Sequence, residues 1–144
     1  MSTDPLVQRL AFLREIDGLK SVLRQSPLLD GSRRENSAEH SWHLALYALL
    51  LHDLAARPVD PARVIRMLLV HDIVEVDVGD TPLHAGVPPR EQAEREARAA
   101  ERLFGILPRP EGDALVALWR EFEEAETADA AFAKALDRVQ PLIA

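Results

Sequence analysis

The sequence predicts an all-α protein, a single domain built as a bundle of about six helices. Three observations carry that expectation. Ala and Leu dominate while aromatic residues make up only 5 %, and Ala, Leu, Glu and Arg are strong helix formers. Apolar residues recur at three- and four-residue spacing through most of the chain, the period of one helix face. Asp-Pro pairs, which cap a helix and place proline in its first turn, occur at Asp4-Pro5 and Asp60-Pro61.

Taken in order, the first helix opens at Asp4-Pro5 and carries Leu6, Leu10, Leu13, Ile16, Leu19, Val22 and Leu23 to near Gln25, before the loop residues Ser26-Pro27 and Gly31. The second starts after Asn36-Ser37 and runs to about Ala56. It is nearly apolar from Leu44 to Leu51 and is expected to be the central, most buried helix. The third follows Asp60-Pro61 through Met67 to Val70. Ile73 to Val78 alternates like a strand, but a lone strand has nothing to pair with, so it reads as a helix end. Gly79 to Pro89, with two glycines and three prolines, is a loop. Glu91 to Phe104 forms a charged helix with a narrow face of Ala93, Ala97, Ala100 and Phe104. Leu115, Leu118, Trp119 and Phe122 mark the fifth helix. Thr127 caps the sixth, which carries Phe132, Leu136 and Val139. Its apolar face is long for its length, and the expectation is that either the natural domain continues past Ala144 or this face meets a partner.

Composition bounds the function. A chain of 144 residues fits one domain, and 47 % apolar with 28 % charged residues is ordinary for a globular protein. Cysteine is absent, which excludes disulfides and thiolate metal sites. No basic patch followed by an apolar run opens the chain, and no apolar run approaches the roughly 20 residues of a bilayer span. A soluble, cytoplasmic protein without membrane partners is expected. The net charge of −7 argues against a nucleic-acid partner. An anionic ligand would have to be held by a metal or a few placed arginines.

No phosphate-binding glycine loop, HExxH or GxSxG motif is present. What remains is a His and Asp constellation. His71-Asp72 directly follows the apolar run Met67-Leu68-Leu69-Val70, where two polar residues need a reason to be near the core. His40 lies near the start of the second helix and Asp137 near the middle of the sixth. Facing helices commonly build metal sites inside bundles. Two His and two Asp without sulfur suit a divalent ion that keeps open positions for water and substrate. Spacing alone leaves alternatives: His40 and His43, three apart, could ligate together, and His71-Asp72 could be ordinary. His43, His52 and His84 read as core or surface histidines. His52 follows His40 by 12 residues and is rotated about 120° from it.

Four stretches, taken together, resemble the HD-domain 5′-deoxynucleotidases. Arg34-Glu35-Asn36-Ser37-Ala38-Glu39-His40-Ser41 is similar to the x-E-N-x-x-E-H-S part of their R-x-E-N-x-x-E-H-S. His71-Asp72-Ile73-Val74-Glu75, continued through Gly79-Asp80-Thr81-Pro82, is similar to H-D-x-x-E-x-x-x-G-D-x-x-P, with one residue in place of two before the proline. Leu118 to Glu123 and Phe132 to Asp137 look like their closing L-W-x-E-[FY]-E and F-x-K-x-L-D elements. The resemblance implies an HD-domain bundle with His40, His71, Asp72 and Asp137 as ligands of a divalent cation. The ligand set does not choose among Mn, Co, Mg, Ni, Fe and Zn. Glu75 and Asp80 correspond to the family's acidic active-site residues. Arg24 resembles its phosphate-contacting arginine, and Lys20 is grouped with it at the substrate. Gln25 stands where some bacterial members have an aromatic residue beside the sugar, and Gln140-Pro141 departs from the usual continuing helix.

The implied activity is hydrolysis of (deoxy)nucleoside 5′-monophosphates to nucleoside and phosphate by a homodimer. Glu75, three residues past Asp72, would steer or deprotonate the attacking water, and Asp80 would protonate the leaving ribose oxygen. The alternatives are hydrolysis of a cyclic nucleotide or a guanosine pyrophosphate, or a non-catalytic helical binding module.

Overall fold

The computed structural model describes residues 3–80 and 86–143. Residues 81–85, including His84 and the middle of the expected loop, lie outside them. Among the described residues are six helices of ten or more residues: α1 (Pro5–Ile16), α2 (Ser37–Leu51), α3 (Pro61–Val70), α5 (Pro89–Phe104), α6 (Arg109–Glu124) and α7 (Ala128–Ile143). A single turn, α4 (Glu75–Val78), follows α3. The fold is all-α in class, as expected.

The capping signals act as expected. The Asp4 carboxylate accepts from the Leu6 amide at 2.8 Å, and Asp60 accepts from the amides of Ala62 and Arg63. Thr127 Oγ1 accepts from the Ala130 amide at 3.1 Å. After Asp72 a turn leads into α4, which ends at Gly79, whose φ of +74° is a left-handed position that favours glycine.

Three expectations need correction. The first helix stops at Ile16 rather than near Gln25. Asp17-Gly18 begins a 3₁₀ turn (Asp17–Ser21) that buries Leu19, since glycine is a poor helix residue. The chain then forms a small antiparallel hairpin, β1 (Leu23–Pro27) with β2 (Arg34–Asn36), pairing Leu23 with Asn36 and Pro27 with Arg34. Neither strand is long or apolar enough to show in the sequence pattern.

Second, α3 rather than α2 is the central helix. It packs on α2, α6 and α7 and buries Val64, Met67, Leu68 and Val70. The apolar run of α2 buries only Leu44 and Ala48, while Leu49 and Leu50 are 53 % and 73 % exposed. Third, α5 buries Ala99, Ala100, Leu103 and Phe104, one step round from the expected face, leaving Ala93 and Ala97 exposed. The core is completed by Phe12, Leu118, Trp119, Phe122, Ala130, Ala133 and Leu136.

Candidate metal centre

A capping box fixes the start of α2. Asn36 Oδ1 accepts from the Glu39 amide at 2.9 Å, and Glu39 Oε2 accepts from the Asn36 amide at 3.1 Å. With the first turn set, Ser37, His40, Ser41 and Leu44 share the buried face, and His40 is fully buried. His71 forms the C-cap of α3. Its Nδ1 donates to the Leu68 carbonyl at 2.6 Å, which leaves Nε2 for the interior. Asp137 comes from α7, next to the buried Leu136.

The four residues expected to share a cation converge. His40 Nε2 lies 2.7 Å from Asp137 Oδ1, and His71 Nε2 lies 3.6 Å from the same oxygen. Asp72 Oδ2 is 3.3 Å from His71 Nε2. His40, His71 and Asp72 each offer a ligand atom within 4.8 Å of the others, a group able to hold a metal ion. His71 Nε2 and Asp72 Oδ2 are buried and make no hydrogen bond among the described residues. Leaving such atoms unsatisfied is costly. A divalent cation would satisfy both, so the donor set fits one.

The electrostatics agree. Burial alone would lower the His71 pKa, but the charge of Asp72, then the bond and charge of Asp137, raise it to about 9. Burial would raise Asp137, yet the two histidines hold it well below the usual carboxylate range. The pocket therefore favours positive charge at its centre.

Glu75 opens α4 beside this cluster and accepts from the Ser37 hydroxyl at 2.6 Å. Burial first, then the charges of Asp72 and Asp80, push its carboxyl up to about 9, against the Ser37 bond and Arg24. Asp80 is half-buried just past Gly79. Arg24, on β1 rather than at a helix end, places Nη1 3.6 Å from Asp72 Oδ2. Lys20 is exposed and pairs with Asp17 at 2.6 Å; no contact among the described residues joins it to the cluster.

His43 turns to another partner, its Nδ1 accepting from Gln140 Nε2 at 3.0 Å. His52 is exposed. Three polar residues at the site escaped the sequence reading: Ser37, and the buried pair Glu35 and Gln140, joined at 3.2 Å. Glu35 lay within a quoted motif with nothing to separate it from its charged neighbours. Gln140 stands in the sequence only as a departure from the family pattern before Pro141, and α7 runs through Pro141 to Ile143.

The HD domain family matches residues 16–144. The chain belongs to it. A crystal structure of a predicted metal-dependent phosphohydrolase from Magnetospirillum magnetotacticum shares this HD domain, with a TM-score of 0.90 and 54 % identity over 96 % of this chain and 69 % of that one. Human and bovine 5′-deoxynucleotidases are 31 % and 33 % identical over 93 % of the chain. The chain spans 65 % and 64 % of the length of those two relatives. A conserved hypothetical protein from Pyrococcus furiosus shares the fold at a TM-score of 0.69 and 24 % identity, over 90 % of this chain and 78 % of its own.

Proposed function

We propose that this HD-domain chain is a metal-dependent phosphohydrolase acting on (deoxy)nucleoside 5′-monophosphates. The observation that carries the reading is the convergence of His40, His71, Asp72 and Asp137, with the Arg24 guanidinium against Asp72. Those four side chains would hold a divalent ion, which when bound would lower the pKa of a water and withdraw charge from the phosphoryl oxygens.

The chain's own groups do the rest. Arg24 pairs with phosphoryl oxygens as a planar, two-pronged donor. In the hydrolysis the bond from phosphorus to the ribose 5′ oxygen breaks, a bond to the water oxygen forms, and the leaving oxygen gains a proton. Glu75 and Asp80 are the proton-transfer groups beside the cluster. Glu75 fits that work because burial and the neighbouring carboxylates push its carboxyl up to about 9, so that it carries a transferable proton at neutral pH. Lys20, exposed at the surface, would meet substrate only by leaving Asp17.

The relatives named 5′-deoxynucleotidase support the substrate class. The net charge of −7 supports a small-molecule substrate rather than a nucleic-acid partner. No helix among the described residues is long and apolar enough to cross a membrane, and a cytoplasmic setting belongs to the same reading. So does a homodimer, supported by the exposed Leu49 and Leu50 of α2; sedimentation analysis tests it.

The decisive experiment is phosphate release from a panel of nucleoside 5′-monophosphates, with divalent metals returned one at a time to stripped protein. Metal-dependent release is expected. Release only from cyclic nucleotides or guanosine pyrophosphates would replace the substrate, and no release from metal-loaded protein would favour a binding module.

A further inference from the structure

We propose that Glu35 is a positioning residue for this site, a buried carboxylate that braces the His40 ring from behind and the Arg24 guanidinium from its side. The inference rests on the reading of His40 as a cation ligand.

Glu35 is 6 % exposed, and a buried carboxylate is costly unless paired. Its surroundings come from three elements. Oε1 lies 3.3 Å from His40 Nδ1 on α2 and 3.4 Å from Arg24 Nε on β1. Oε2 accepts from Gln140 Nε2 on α7 at 3.2 Å. Glu35 Oε1, His40 Nδ1 and Arg24 Nε are all buried and none completes a hydrogen bond among the described residues, so the ion-pair approaches of 3.3 and 3.4 Å are what each has. They have only one another.

The chemistry of imidazole gives this grouping its purpose. A neutral histidine that offers Nε2 as a lone pair must carry its proton on Nδ1, and that proton needs an acceptor. For His71 the acceptor is the Leu68 carbonyl. For His40 the group placed to accept is Glu35, whose Oε1 stands 3.3 Å from Nδ1. The same oxygen faces the Nε edge of Arg24 and leaves the Nη groups toward Asp72, where a phosphoryl oxygen would be met. Gln140 is 1 % exposed and lies three residues beyond Asp137, so α7 carries both a ligand and the brace of the opposite ligand.

Glutamine at position 35 cannot reproduce this arrangement. Its amide must present either NH₂ to the Gln140 NH₂ or NH₂ to His40 and Arg24. Turning the Gln140 amide relieves the first clash but forces the His43 ring to donate from Nδ1 where it now accepts.

The test titrates Zn²⁺ calorimetrically into metal-stripped parent, Glu35→Gln and Gln140→Leu. It also records the His40 imidazole nitrogen signals of each Zn²⁺-loaded protein by ¹⁵N NMR. Glu35→Gln is expected to bind Zn²⁺ about 10- to 100-fold more weakly, the usual loss for a partner behind a ligand. Its Nδ1 signal should move away from that of a hydrogen-bonded N–H. Gln140→Leu should show a smaller loss in the same direction, which keeps the test valid if the first variant folds poorly. Zn²⁺ binding by Glu35→Gln within about threefold of the parent, well short of that loss, with unchanged His40 signals, would overturn the proposal and leave Glu35 a structural acid. A parent that takes up no Zn²⁺ would overturn the cation reading itself, and Glu35's role with it, in the parent arm alone.

Discussion

Replacing Glu75 by glutamine removes an ionisable proton from beside the cluster and little else. The amide keeps the size of the carboxylic acid, and its oxygen can still accept from Ser37, as Oε1 does at 2.6 Å. Glu75 holds its proton up to about pH 9 in the metal-free protein, so at neutral pH the variant should be folded and no less stable than the parent. Turnover should not survive as well. Proton transfer by a placed side chain is worth about 10² to 10⁴ in rate, or about 2.7 to 5.4 kcal/mol at about 1.36 kcal/mol per tenfold. The assay compares kcat, KM and metal content on a deoxynucleoside 5′-monophosphate. The expected result is a kcat loss in that range with parent metal content and a KM changed only modestly. Melting curves give an internal control. The folded carboxyl titrates near 9 against an ordinary value of 4.5, so the folded state holds more protons between those limits and loses stability as pH rises through them. Glu75→Gln lacks that loss and should gain on the metal-free parent between pH 5 and pH 9. A parent-like kcat would refute the catalytic assignment, and loss of the metal would make Glu75 a support of the ion instead.

His71→Ala and Asp137→Ala should lose bound metal and activity together, read by metal analysis beside turnover; full activity without metal would contradict the mechanism. In the metal-free protein the raised His71 pKa contributes stability that is complete below its ordinary value of 6.5 and is lost as pH climbs through about 9. Melts of the Glu75→Gln variant isolate this part. Because the ion must displace the His71 proton, its apparent affinity should rise with pH up to about 9, with proton release visible as buffer-dependent binding heat. Arg24→Lys keeps the charge but loses the fork, so KM for the nucleotide should rise about tenfold while metal content stays unchanged; an unchanged KM would remove Arg24 from the substrate.

Much of the site was legible because its residues break a local pattern. His71 and Asp72 put polarity directly after an apolar helix, and the structure turns both toward the interior. Asn36 and Glu39, three apart, encode the cap that aims His40. Other parts depend on contacts between distant segments. The hairpin is two short polar stretches that become strands by finding each other. Glu35 and Gln140 are 105 positions apart, and neither carries a local signal. Helical spacing also says which residues share a face and not which way that face points. Leu6, Leu10 and Leu13 of α1 keep the expected period yet are more than half exposed.

Pro141 gives α7 an unusual interior. Proline has no amide hydrogen, so the carbonyl four residues earlier, that of Asp137, has no helical partner. A helix that unzips breaks its ladder one rung at a time. Here the rung between residues 141 and 137 is already missing, so opening of the turn that holds Leu142 and Ile143 takes no backbone bond from Asp137. Amide exchange should therefore change abruptly at this point, fast beyond Pro141 and slow before it. The carboxylate that meets both histidines is insulated from motion in the residues that follow.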